Sequence, residues 1–270
     1  MRLTLPFDSP LPGTSFRWLL WSDALTLLAM MVGQVALPWW IAQSGGAHDL
    51  AVYGVLVAAM SFVALPLLSP FADSRPKRRL MVTGLLGFGV ATGAMALFAW
   101  RGHYRLDVVV AIEAITVLAG ALVMPATNSI VTELVPPAAL SRALGLQQTA
   151  QAGGRLVGPA LAGALLAGAG TAPTLALGAL LLLAAALLAT RLPQPERGAA
   201  PQARGRWADE VRVGLRVNWA IPIERGWVVC NFIGALFMVP CVALLAPLKV
   251  QSLGLSAAWL GGCEAGMSLG

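Results

Sequence analysis

The sequence predicts an all-α membrane protein, and three observations carry that expectation. Of the 270 residues, 58% are hydrophobic and 11% charged, whereas a soluble domain carries about 25% charged residues. Apolar stretches of about 20 residues, the length a helix needs to cross a bilayer, recur along the chain. These stretches are continuous, while the strands of a membrane barrel are shorter and alternate in polarity. Disorder, coiled coil, collagen and a disulfide scaffold are excluded by the same composition.

Residues 1–16 form a polar tail with Pro6, Pro10 and Pro12. The tail does not lead into a short apolar core with a cleavage site, so the first span is not read as a signal peptide. Six spans then fill residues 17–191: Trp18–Ala42, Leu50–Ala72, Leu80–Trp100, Val108–Val131, Ala143–Ala169 and Ala172–Thr190. Residues 192–225 read as a linker, opening with Pro193, Pro195, Gly198 and Pro201. Within it, Val211, Leu215 and Trp219 share one helical face and Arg212 and Arg216 another, the pattern of a helix lying on a membrane surface. Residues 226–270 hold a seventh span, Gly226–Leu248, and an eighth beginning at Ala257. Six spans before a long loop suggest two three-helix repeats of opposite orientation.

Orientation follows from the basic residues. With the N-terminus in the cytoplasm, fourteen Lys and Arg fall on the inner side, and three, Arg101, Arg105 and Lys249, on the outer side. That bias satisfies the positive-inside rule. It also assigns the net charge of +6 to topology, and no nucleic-acid partner is expected. Cys230, Cys241 and Cys263 lie in apolar stretches without metal-like spacing and are read as small core residues. With His48 and His103 the only histidines, no metal or other cofactor is expected. No nucleophile–base pair or phosphate loop stands out, so the chain is not read as an enzyme.

Two segments carry motifs. After the second span comes Asp73-Ser74-Arg75-Pro76-Lys77-Arg78-Arg79. It reads either as a positive-inside anchor or as a latch in which Asp73 and the bases Arg75, Lys77, Arg78 and Arg79 join two helices and part when the protein changes state. In the fifth span, Ala150, Gly154, Gly158 and Ala162 recur every four residues and form one small-residue stripe. Such a stripe permits close helix approach, and Pro159 permits a bend.

These residues resemble the major facilitator superfamily over nearly the whole chain. Asp73 with Lys77-Arg78-Arg79 is similar to the family's loop motif. Gly154, Gly158-Pro159 and Gly163 are similar to its fifth-helix antiporter motif. Met124-Pro125-Ala126, Glu133 to Pro136 and Leu140 to Ala143 resemble the branch that exports drugs and siderophores, as does Phe16-Arg17 leading to Ala36-Leu37-Pro38-Trp39-Trp40. The resemblance implies a six-helix N-terminal half followed by the start of a second half. It also implies export of small amphipathic molecules by alternating access, in exchange for protons, across the inner cell membrane. Bilayer, substrate and protons are the implied partners. The family has twelve spans, and an ending inside the eighth is expected to mark a fragment or a truncated product. The rival expectations are a scaffold or sensor that retains the transporter fold, and an intramembrane enzyme.

Asp23, Glu113, Arg155 and Glu264 are the ionisable residues inside spans. A charge at mid-bilayer costs at least about 2.5–3.5 kcal/mol, so each calls for a partner or a wet cavity. Arg155 is deep. Glu113 is of intermediate depth, and Asp23 is near enough to the boundary for either a site or a headgroup role. The expectation is that Glu113 or Asp23 carries the proton, with Arg155 tuning it, in one cavity. Met30, Met31, Trp39 and Trp40 are read as packing or interface residues, with a greasy cavity lining as the alternative.

Overall fold

A computed structural model describes residues 13–73, 75–193, 212–213, 216–217 and 219–267. Among the described residues the chain is helical throughout, with no strand. Helix α1 (Thr14–Asp73) contains the first two spans, broken at Gly46. There φ is +72°, a left-handed value that a side chain resists, and the chain can leave the first helix direction. The second limb returns, so that Leu50 and Tyr53 pack with Val35–Ala42 of the first. The third to sixth spans are α2 (Lys77–Trp100), α3 (Leu106–Leu134), α4 (Leu140–Gly168) and α5 (Thr171–Ala189). The seventh is α6 (Pro222–Pro240), continued through a π turn (Cys241–Leu245) into α7 (Ala246–Ser252). The eighth is α8 (Ala257–Met267).

Among the described residues, five helical stretches are long and apolar enough to cross a membrane, the first of them, Thr14–Ala64, covering the break at Gly46. Helix α4 is not one of them, because Gln147, Gln148, Gln151 and Arg155 lower its hydropathy. It is still 29 residues long, about 43 Å at 1.5 Å per residue, and reaches across a bilayer. Two of these residues, Gln147 and Gln151, are buried against protein, while Gln148 and Arg155 are exposed.

The core divides into two clusters, one near each end of the bundle. At one end, Phe16, Leu19, Met81, Val131, Ala189 and Leu192 bring α1, α2, α3 and α5 together. At the other, Val35, Ile41, Met95, Val109, Leu166 and Leu175 do so. Ala257 and Leu260 of α8 join only this second cluster. The second half is therefore packed onto the first near the Gly46 end. Gln251 of α7 donates to the Trp39 carbonyl at 3.0 Å on that same side.

The cysteines correct the sequence reading. Cys230, Cys241 and Cys263 are exposed, not core. An apolar residue of a soluble protein must find protein to be buried, but a membrane helix can turn the same residue to lipid or to a cavity. For the linker, Val211 and Leu215 lie outside the described residues. Arg212, Val213, Arg216, Val217 and Trp219 are helical and exposed.

Candidate functional site: a cavity between the two halves

The fifth-span motif is built into a backbone-to-backbone contact. Helix α4 runs beside the first limb of α1. A Cβ placed on Gly154 would stand 3.0 Å from the Leu27 Cβ and 3.0 Å from the Leu28 nitrogen. On Gly158 it would collide with the Met31 side chain. Further along, the helix meets α8. A Cβ on Gly163 would stand 2.8 Å from the Ala257 carbonyl oxygen and 2.9 Å from the Gly261 Cα, and one on Gly261 would strike the Pro159 carbonyl. The glycines thus hold α4 against α1 on one side and against the second half on the other. The sequence stripe anticipates the first contact. The second was missed in the sequence, although Ala257, Gly261 and Ala265 also recur every four residues.

Where the halves part, a cavity of about 630 Å³ opens. Met31 and Gln34 of α1 and Pro159 of α4 form one wall. Helix α6 supplies Trp227, Cys230, Asn231 and Met238, and α8 supplies Glu264 and Met267. The proline of the motif therefore borders the cavity, and Gly163, one turn on, closes the contact beside it. The Asn231 amide nitrogen donates one of its two N–H groups to the Trp227 carbonyl at 2.9 Å, which leaves the other N–H and the amide oxygen to present.

Of the ionisable residues singled out in the sequence, Asp23 and Arg155 come together and Glu113 does not join them. Asp23 is 2% exposed, so the headgroup alternative does not hold. Gln147 Nε2 and Gln151 Nε2 both donate to its Oδ2, at 2.9 and 2.8 Å. Arg155, one turn further along α4, acts electrostatically on the same carboxylate. Glu113 lies on α3 and has Tyr53 of the second limb of α1 as its neighbour. Neither Asp23, Glu113 nor Arg155 lines the large cavity. The acid that does is Glu264. Tyr53, Gln147, Gln151, Trp227 and Asn231 were missed in the sequence; only the spacing of Gln147 and Gln151, four apart on one helical face, could have flagged a polar partner for a buried acid.

In the basic loop, Arg78 donates to the Thr190 carbonyl at the end of α5. A cation there also complements the negative end of the helix. Arg75 and Arg79 are exposed, and the Asp73 side chain lies outside the described residues.

At the Gly46 end a second cavity, about 530 Å³, is bordered by Trp40, Gln43, Trp100, Tyr104 and Thr171. Trp40 meets Phe98 and Tyr104 edge to face, with centroids 6.1 and 5.7 Å away. It is a packing residue, as is Trp39, while Met31 lines the larger cavity. Burial, and then the neighbouring Asp49 carboxylate, raise the Tyr104 phenol above its ordinary value.

Among the described residues no cluster of His, Cys, Asp and Glu has the makings of a metal site. Compared with known families, residues 19–270 match the model described as Major Facilitator Superfamily. Among curated proteins, none matches the chain.

Proposed function

The chain belongs to the major facilitator superfamily of membrane transporters, and from that membership we propose that it exports small amphipathic molecules by alternating access, exchanging them for protons. The observation that carries this reading is the cavity between α1 and α4 on one side and α6 and α8 on the other. It is bordered by apolar side chains with a few polar groups, the make-up of a small-molecule site. It lies at the interface of the two halves, where a rocking motion exposes it first to one side and then to the other. The positive-inside bias supports a cytoplasmic N-terminus and an inner-membrane location. In this orientation Gln251 and the α8 contact join the halves at the outer end.

Proton exchange requires a carboxyl group whose surroundings change with the state. Glu113, with Tyr53 beside it on another helix, suits that role better than Asp23, whose three partners all sit on one neighbouring helix. The loop bases Arg75, Lys77, Arg78 and Arg79 with Asp73, and the glycines around Pro159, are assigned to the conformational change and not to cargo. Reconstituted protein in which Glu113→Gln abolishes pH-driven efflux but leaves downhill exchange intact agrees with this assignment. Efflux by Glu113→Gln with an unchanged pH dependence contradicts it.

A further inference from the structure

We propose that the cavity at the Gly46 end is a second ligand site, built for a neutral, hydroxyl-rich group such as a sugar ring and separate from the transport path. Every residue that borders it belongs to the first half: to α1, to α2 and the turn after it, to the end of α4 or to the start of α5. None comes from α6, α7 or α8, so the site persists when the halves rock against each other as bodies. Its occupant is held and not carried across, and the inference stands whether or not the larger cavity is the transport site. The volume, about 530 Å³, lies within the range of about 300–1,000 Å³ usual for small-molecule sites.

The border selects against charge. It includes no Lys, Arg, His, Asp or Glu. Its polar side chains are the amide of Gln43 and the hydroxyls of Ser44, Tyr104 and Thr171. Each can both donate and accept, which matches a ligand hydroxyl, itself donor and acceptor. The Tyr104 hydroxyl is buried and makes no hydrogen bond among the described residues, which leaves it a group that a ligand hydroxyl can satisfy. Two fields oppose each other at the rim. Helix α5 starts there, with no side chain capping it, and its positive end disfavours a cation. The Asp49 carboxylate, which meets the Tyr104 hydroxyl beside Gly45, disfavours an anion. Trp100 is 77% exposed and offers an aromatic surface against which the C–H face of a sugar ring can lie. A wholly apolar molecule would strip water from Gln43 and Ser44 without returning hydrogen bonds.

The test places a reporter thiol at the site. Ala172 borders the cavity, so the rate of maleimide labelling of Ala172→Cys reports occupancy once Cys230, Cys241 and Cys263 are replaced by alanine. In phosphatidylcholine nanodiscs, three probes are compared: dissolved methyl glucoside, monoglucosyl diacylglycerol, which brings the same ring from the lipid, and phosphatidylglycerol, which has a charged headgroup on the same anchor. A glucose ring should slow labelling in a saturable way and phosphatidylglycerol should not. Protection by methyl glucoside supports the site with a dissolved sugar as its source, and protection by the glucolipid alone supports it with a lipid headgroup as the source. Trp100→Ala, at an exposed position, should raise the half-protecting concentration of glucoside or glucolipid by about tenfold. Equal protection by phosphatidylglycerol overturns the neutral assignment. Labelling that neither glucose probe slows, or the same dependence in Trp100→Ala, overturns the site as described.

Discussion

Both amide donors that reach Asp23 end on the same oxygen, Oδ2. This detail separates two substitutions that look alike. Asparagine keeps one carbonyl oxygen with two lone pairs in that place, so Asp23→Asn preserves both bonds to α4. Alanine leaves the buried Gln147 and Gln151 amides without their acceptor, at about 1–3 kcal/mol each. Thermal unfolding in nanodiscs should therefore rank wild type and Asp23→Asn together and Asp23→Ala well below them. A melting point for Asp23→Ala equal to that of the wild type would show that the contact between α1 and α4 does not depend on this acid. At the same end of the bundle, Arg78→Ala removes a charged donor from the Thr190 carbonyl and should cost about 1.5–3 kcal/mol by the same assay. Arg78→Lys, which retains a cation at the end of α5, should recover part of that loss.

Helix α4 holds the account together because it touches everything that matters: α1 through Gly154 and Gly158, α8 through Gly163, and the cavity through Pro159. Its glycines are not interchangeable. A side chain at Gly158 must displace Met31 within the first half, and is expected to lower stability in both transport states. A side chain at Gly163 meets the Gly261 backbone across the halves, and is expected to weaken the joined outer end in particular. Gly163→Val should thus leave the melting of the first half little changed and raise labelling of a cysteine introduced at Ala257, which is buried where α8 meets the outer core cluster. Labelling of that site unchanged by Gly163→Val would mean the α4–α8 contact does not close the outer end. The small-residue spacing made the first of these contacts legible in the sequence, since a four-residue repeat on a helix is a local pattern. The second depends on a partner about a hundred residues away, and although Ala257, Gly261 and Ala265 form a small-residue stripe there, nothing local pairs it with α4.

Across the whole molecule, legibility followed the same rule. The spans could be read because a bilayer sets their length, and α4, too polar to qualify by hydropathy in the structure, was read as the span Ala143–Ala169 on the same ground. The grouping of charges could not. Glu113 is sixty residues from Tyr53 in the chain, and Asp23 is more than a hundred from Gln147, so nothing local divided the acids between two places. Glu264 was visible as an intramembrane charge, but its place in the cavity depends on how α8 leans on α4. Trp227 and Asn231 lie at the start of a span, where such residues ordinarily anchor a helix at the interface.

The central claim is that the space between the halves carries cargo outward in exchange for protons. Its most direct test is transport by the purified protein in proteoliposomes loaded with a fluorescent amphipathic dye, with the pH difference across the bilayer imposed in either direction. The account predicts movement of the dye against its own gradient when protons run the opposite way, collapse of that movement on adding a protonophore, and its loss on labelling Cys230 with a bulky maleimide. Dye movement that ignores both the direction of the pH difference and the state of Cys230 would contradict it.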